Sequence, residues 1–207
     1  MLGLLIWITI GFISGSVPWA VLVGNLLVRK DVRSVGDGNP GAANAWKLGG
    51  WAPGALSLIL DTAKSLVPVY FATRYLGQPS GITSQLSLAL VAIAPVVGHG
   101  WSPFLQFKGG KTLAASWGSW ISITDGMAIP MAFVFLGPMQ ALQKNHSITV
   151  TFCLVGFLAV FLPMHMQPFI ALFWLGNMTV LVYKHKLEYS DGIMLRSWVL
   201  RLARVLP

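Results

Sequence analysis

The chain has 207 residues, 55% of them hydrophobic and only 10% charged, with a formal net charge of +8. A soluble domain carries about 25% charged residues, so the composition excludes an ordinary water-soluble enzyme and points to an integral membrane protein. In such a protein Lys and Arg gather in cytoplasmic loops and near anionic headgroups, so the charge implies membrane lipids as partners and no nucleic acid.

The single cysteine, Cys153, excludes an intrachain disulfide and a cysteine-based metal site. Residues 2–28 form the first apolar span, interrupted by Ser14, Gly15, Ser16 and Pro18. A membrane helix tolerates such breaks where it packs against protein. No A-x-A-like cleavage pattern closes it, so it reads as a retained helix. Residues 29–50 are polar and glycine-rich and read as a long loop of the kind that carries function. The second span, 51–72, holds Asp61 and Lys64 on one helical face. Ionisable groups in a span are costly unless they face inward and pair. They read either as an ion pair tying helices together or as the wall of a polar cavity.

A short loop with Gly77, Pro79 and Gly81 leads to the third span, 82–98. A short span at 112–123 follows, then an Asp125-Gly126 turn and a span at 127–142. Lys144, Asn145 and His146 make a brief polar break. The last spans are 148–162 and 168–183, joined by a turn; His146 and His165 read as ordinary turn residues. Several spans fall short of the ~20 residues of a full crossing, so the fourth reads as tilted or partial. The tail, 184–207, is basic, with Leu195, Trp198, Val199, Leu202 and Val205 at helical spacing. It reads as an amphipathic segment on the membrane surface. The expected fold is thus all-α, a single transmembrane bundle of seven helices. Basic residues concentrate in 29–50, 99–111, 143–147 and the tail, whereas the opposite loops hold essentially Arg74 alone. The positive-inside rule then puts the N-terminus outside and the C-terminus in the cytoplasm.

Three polar clusters share the cytoplasmic side. The first is 31–50, where Gly36, Gly38 and Gly41 permit tight curvature, Asn39 and Asn44 offer amides, and Arg33 and Lys47 bring charge. The second runs from His99 to Lys108-Gly109-Gly110-Lys111, before a helix start at Thr112. Glycines that can take positive φ and let another group approach closely, with lysines and a helix N-terminus, together suit a phosphate. The same residues also fit a basic turn at a helix end. The third is Lys184-His185-Lys186 with Glu188. His99 and His185 read either as site residues or as interfacial histidines. No HExxH or Gly-x-Ser-x-Gly pattern is present.

Four blocks resemble one family, the bacterial membrane acyltransferases that move a fatty acyl group from acyl-phosphate to glycerol 3-phosphate. They are Gly15-Ser16-Val17-Pro18; Asp31-x-Arg33 with 36–44; Asp61-x-x-Lys64; and Gly98-His99 through Phe107-Lys108-Gly109-Gly110-Lys111. The resemblance implies a seven-helix bundle in the inner (plasma) membrane, a site open to the cytoplasm, and no cofactor or metal. Lys108, Lys111, Gly109 and Gly110 would hold acyl-phosphate. Arg33 and Lys47 would hold the phosphate of glycerol 3-phosphate, and Asp37 or His185 would take the hydroxyl proton. Gly38, Asn39, Gly41, Asn44, His99 and Glu188 would complete the substrate-binding wall. The chain departs from the family pattern where it has Asp37 for serine, Ala43 for threonine, Lys47 for arginine, Thr112 for glycine and Glu188 for asparagine. Asp37 and Glu188 put negative charge beside an anionic substrate, which is adverse unless a lysine pairs with each. Those departures leave open a different, less anionic acceptor, or a transporter or lipid-binding protein on the same scaffold.

Overall fold

The computed structural model describes residues 2–77, 81–165 and 167–205, without the side chains of 165 and 202–205. Pro79 and the side chains of His165, Leu202 and Val205 therefore lie outside the described residues. Among those described, ten α-helices form in chain order, and the only β pairing is an isolated antiparallel bridge, Gln143 to Leu195. The helices are α1 (Leu2–Ser16), α2 (Trp19–Val23), α3 (Ala42–Gly49), α4 (Trp51–Leu76), α5 (Ile82–Gly100), α6 (Leu113–Ile123), α7 (Ala128–Leu142), α8 (His146–His165), α9 (Pro168–Lys184) and α10 (Ser197–Val205). Segments Leu2–Val28, Trp51–Leu76, Ile82–Leu105 and His146–Met164 are long and apolar enough to cross a membrane; α7 and α9 are shorter apolar helices.

The first apolar run breaks between α1 and α2. Pro18 has no amide proton to donate back into α1, so nearby carbonyls must find partners elsewhere. Ser102 Oγ donates to Ser16 O at 2.5 Å, and Lys64 Nζ donates to Val17 O at 2.7 Å. Lys64 Nζ also lies 2.7 Å from Asp61 Oδ1, with both side chains almost fully buried. Ser14 Oγ returns a hydrogen bond to Lys64 O at 2.7 Å. The Asp61–Lys64 pair is therefore a structural tie between α4 and the broken first span.

Helices approach closely where glycine removes a side chain. A Cβ at Gly15 would collide with the Pro95 backbone, and one at Gly98 with Phe12 O, which sets how tightly α1 lies on α5. A Cβ at Gly118 would collide with Thr62 O, which brings α6 onto α4. Trp120 of α6 is buried among Phe157, Phe161 and Phe173. Its indole donates to Asn177 Oδ1 at 3.0 Å, and Asn177 Nδ2 donates to Ser116 Oγ at 2.7 Å, so the polar groups buried with the aromatics are satisfied.

Two loop expectations need correction. Residues 29–50 are not all loop: a 3-10 turn (Val32–Ser34) and the helix α3 lie within them. The dense glycines hide a short run, Ala42 to Ala45, that favours helix once Gly41 starts it in extended backbone. Nor do Gly109 and Gly110 supply the positive φ of their loop. Gln106, Phe107 and Thr112 do, at φ 53°, 60° and 67°. Their expected role in close approach holds: a Cβ at Gly109 would strike His99 O, and one at Gly110 the His99 ring.

Two outcomes follow. Asp61→Ala strands a buried ammonium and should cost about 3–5 kcal/mol, read as loss of monodisperse protein in detergent, with Asp61→Ala/Lys64→Met partly recovering it. Thr112→Gly removes a β-branched residue from left-handed backbone and should raise thermal stability by about 1 kcal/mol.

Candidate active site

Four loops meet at one end of the bundle. The first is organised by its own side chains. Asp31 accepts from Arg33 N at 2.8 Å and from the Arg33 guanidinium at 2.6 Å, closing the 3-10 turn. Gly36 and Gly38 then take left-handed φ, 62° and 73°, and turn Asp37 outward. Asp37 Oδ1 accepts from Asn39 N at 3.2 Å and from Asn44 Nδ2 at 2.9 Å. Asn44 Nδ2 also donates to Asn39 O at 3.0 Å, so the buried first turn of α3 fixes the loop. Lys47 lies three residues on, and its ammonium comes close to Gly36, where a Cβ would stand 3.0 Å from it. Gly41 is extended (φ −130°) and contributes close approach to the Asn39 amide rather than curvature.

The second loop lies over His99. Gly110 N donates to His99 O at 3.0 Å, so that amide is committed inside the protein and cannot face a phosphate. His99 is buried, with Nδ1 3.9 Å from Asp61 Oδ1. It supports the loop from beneath and is not an interfacial residue. Lys108 is exposed, and its side chain makes no ion pair among the described residues.

Lys111 is the hub. Its ammonium lies 2.5 Å from Asp37 Oδ2 and also bonds Glu188 Oε1, so one lysine serves both of the unexpected carboxylates. Glu188 Oε2 accepts from Ser147 Oγ and lies 3.0 Å from His185 Nδ1. His185 is buried; its Nε2 lies 3.2 Å from Lys111 O. Partial burial works to raise the pKa of Asp37, but bonds from Lys111, the Asn39 amide and Asn44 prevail and hold it at about 2. Glu188 is likewise held at about 2, where Lys111, Ser147 and His185 outweigh burial. Burial works to lower the pKa of Lys111, yet its two carboxylates leave it raised.

The structure thus brings together Asp37, Asn39, Asn44, Lys111, His185 and Glu188, with Lys47 and Gly36 alongside. It does not bring Arg33 into this network, because its guanidinium is folded onto Asp31. Sequence reasoning missed Gln143, Asn145 and Ser147. Asn145 Oδ1 accepts from Ser147 N at 3.0 Å, starting α8, and Nδ2 donates to Glu188 O and Gly192 O at 2.8 and 2.9 Å. Gln143 Oε1 accepts from Asn145 N at 2.6 Å. The available signal was an asparagine three residues before an apolar run, a helix-starting pattern. That it also clasps the 188–192 segment is a tertiary fact.

The family model described as glycerol-3-phosphate acyltransferase matches residues 5–192. The chain is 31% identical over 201 residues to glycerol-3-phosphate acyltransferase 1 of Thermotoga maritima, covering 90% of this chain and 97% of that one. It is 35% identical over 169 residues to the glycerol-3-phosphate acyltransferase of Anaeromyxobacter sp. (strain K), covering 80% and 82%. Its fold matches the crystal structure of PlsY (YgiH), an integral membrane glycerol 3-phosphate acyltransferase, in the glycerol 3-phosphate form. That match has a TM-score of 0.78, 21% identity, and coverage of 96% of this chain and 98% of that one. With nearly its whole length matched, and the lysine loop and histidine segment drawn to one site, the chain belongs to the glycerol-3-phosphate acyltransferase family.

Proposed function

We propose that this chain transfers a fatty acyl group from acyl-phosphate to the 1-hydroxyl of glycerol 3-phosphate, giving lysophosphatidic acid for phospholipid synthesis. The observation that carries the reading is convergence: the Asp37 block, the Gly110-Lys111 block and the His185 segment all meet at one ammonium. Lys111, Lys108 and the Gly109 amide hold the acyl-phosphate and stabilise charge that develops on its oxygens. Lys47, beside the Asp37 loop, holds the acceptor's phosphate, with Arg33 at the rim. The acceptor hydroxyl oxygen forms a bond to the acyl carbon while the bond from that carbon to the phosphate oxygen breaks. The hydroxyl proton goes to Asp37, and inorganic phosphate leaves. Asp37 is a weak base at its low pKa, so it accepts this proton only as the forming C–O bond acidifies the hydroxyl.

The four loops of the site carry most of the chain's basic residues, whereas the Arg74–Asp125 pair, 2.9 Å apart, joins α4 to the turn between α6 and α7. This supports a plasma-membrane protein with seven crossing segments, α6 being partial, its N-terminus outside and its site facing the cytoplasm. A second acceptor of lower negative charge is favoured by one fact: both flanks of Lys111 are carboxylates.

The deciding assay is acyl transfer by purified protein with palmitoyl-phosphate, offering glycerol 3-phosphate or glycerol. Lysophosphatidic acid with the first acceptor supports the proposal; product only with the second overturns the acceptor assignment; no consumption of acyl-phosphate with either overturns the enzyme. Lys111→Ala should lower kcat/KM by about 100-fold or more while the protein still folds. Lys47→Arg, which supplies a two-pronged donor for phosphate, should lower the KM for glycerol 3-phosphate by about 3–10-fold. A pH series checks the cluster. Asp37 ionises at about 2 when folded, below the ordinary value of about 4, so its stabilisation is complete above about pH 5 and lost as pH falls through about 2. The melting-temperature gap between the native chain and Asp37→Asn should be flat above about pH 5 and close toward pH 2.

A further inference from the structure

His185 sits where a proton acceptor would be sought, yet its contacts leave no lone pair to do that work. Its Nε2 faces Lys111 O at 3.2 Å. A carbonyl oxygen only accepts, so Nε2 carries a proton. Its Nδ1 lies 3.0 Å from Glu188 Oε2 and 3.1 Å from Ser147 Oγ. Ser147 has one hydroxyl proton, and its closer neighbour is the same Glu188 oxygen. With that proton given to Glu188, an unprotonated Nδ1 would set its lone pair against a carboxylate oxygen with nothing between them. With Glu188 ionised, as its bonds to Lys111 and Ser147 favour, a protonated Nδ1 satisfies all three groups at once.

We propose that His185 and Glu188 form a positioning pair: a doubly protonated imidazole locked to a carboxylate whose other oxygen aims the Lys111 ammonium into the site. This deepens the acyltransferase reading and rests on it for the kinetic consequence alone. Glu188 then acts on Lys111 and does not touch substrate. The row Asp37, Lys111, Glu188, His185 alternates in sign and sums to zero. That removes the adverse field that two added carboxylates would otherwise set against an anionic acceptor. The two lysines that flank His185 in the chain are turned onto aromatic rings. Lys184 lies over the Trp101 ring at 4.7 Å and Lys186 over the Tyr183 ring at 5.1 Å. Tyr189 is bonded to Thr151 at 2.6 Å. The low ionisation of Glu188 agrees with this arrangement.

The test is nitrogen-15 NMR of histidine-labelled full-length protein in detergent, the His185 signals being assigned by their loss in His185→Gln. At neutral pH both His185 ring nitrogens should carry protons, and Glu188→Gln, close in shape but uncharged, should convert the ring to a singly protonated form. A singly protonated ring in the native chain overturns the proposal, as does a ring unchanged by Glu188→Gln. In turnover, Glu188→Gln should lower kcat about tenfold, with the KM for glycerol 3-phosphate changed less than about threefold, the cost of one charged hydrogen bond. A raised KM with unchanged kcat would instead make Glu188 a substrate ligand and overturn its positioning role. The NMR result stands apart from activity. A protein that shows the doubly protonated ring and transfers no acyl group overturns the function and leaves the pair in place.

Discussion

One buried ammonium allows the first apolar run to be broken. A proline within a helix leaves carbonyls unserved, and inside an apolar bundle no water is at hand to serve them. Lys64 bonds Val17 O directly and is itself neutralised by Asp61 one turn earlier on α4. Ser102 serves the neighbouring carbonyl from the start of the lysine loop. The break, the second long helix and the approach to the site are therefore one construction. Moving any of them would strand a charge or a carbonyl where neither can be hydrated.

From that base the support of the site can be followed inward to outward. Asp61 lies beside His99, and His99 holds the underside of the Gly109–Gly110 turn by its carbonyl and ring. The turn carries Lys111 at its outer end. Two further loops then close on that lysine from other parts of the chain, pinned by polar side chains: Asn44 fixes the Asp37 loop, and Asn145 and Ser147 together fix the 188–192 segment with its Glu188. A lysine on a flexible stem is a poor positioning device when free, and the two carboxylates bonded to it fix where its charge lies.

The departures from the family pattern make sense as a set. Asp37 and Glu188, taken singly, each look hostile to a phosphorylated substrate. Together they share Lys111, and Glu188 is further paired with His185. Thr112 is a different kind of departure. It keeps a left-handed backbone that glycine would adopt without strain, and its methyl lies close to Gly100.

The all-helical class and the family were legible in the amino-acid order, because apolar run length and motif spacing are local properties. So was the pairing of Asp61 with Lys64, since i and i+3 share a helical face whatever surrounds them. The short helix α3 was hidden by its glycines, and of the two properties that mark Gly109 and Gly110, positive φ and close approach, only close approach is used. Both depend on what lies across the gap: the Asn39 and Asn44 amides in one case, His99 in the other. Charge signs alone could not reveal that Asp37 and Glu188, 151 positions apart by their numbering, meet on the same lysine. Sequence determined which groups the chain owns and which helical faces they occupy. Only the tertiary structure decided which of them neutralise one another, because that depends on distances of a few ångströms between segments remote in the chain.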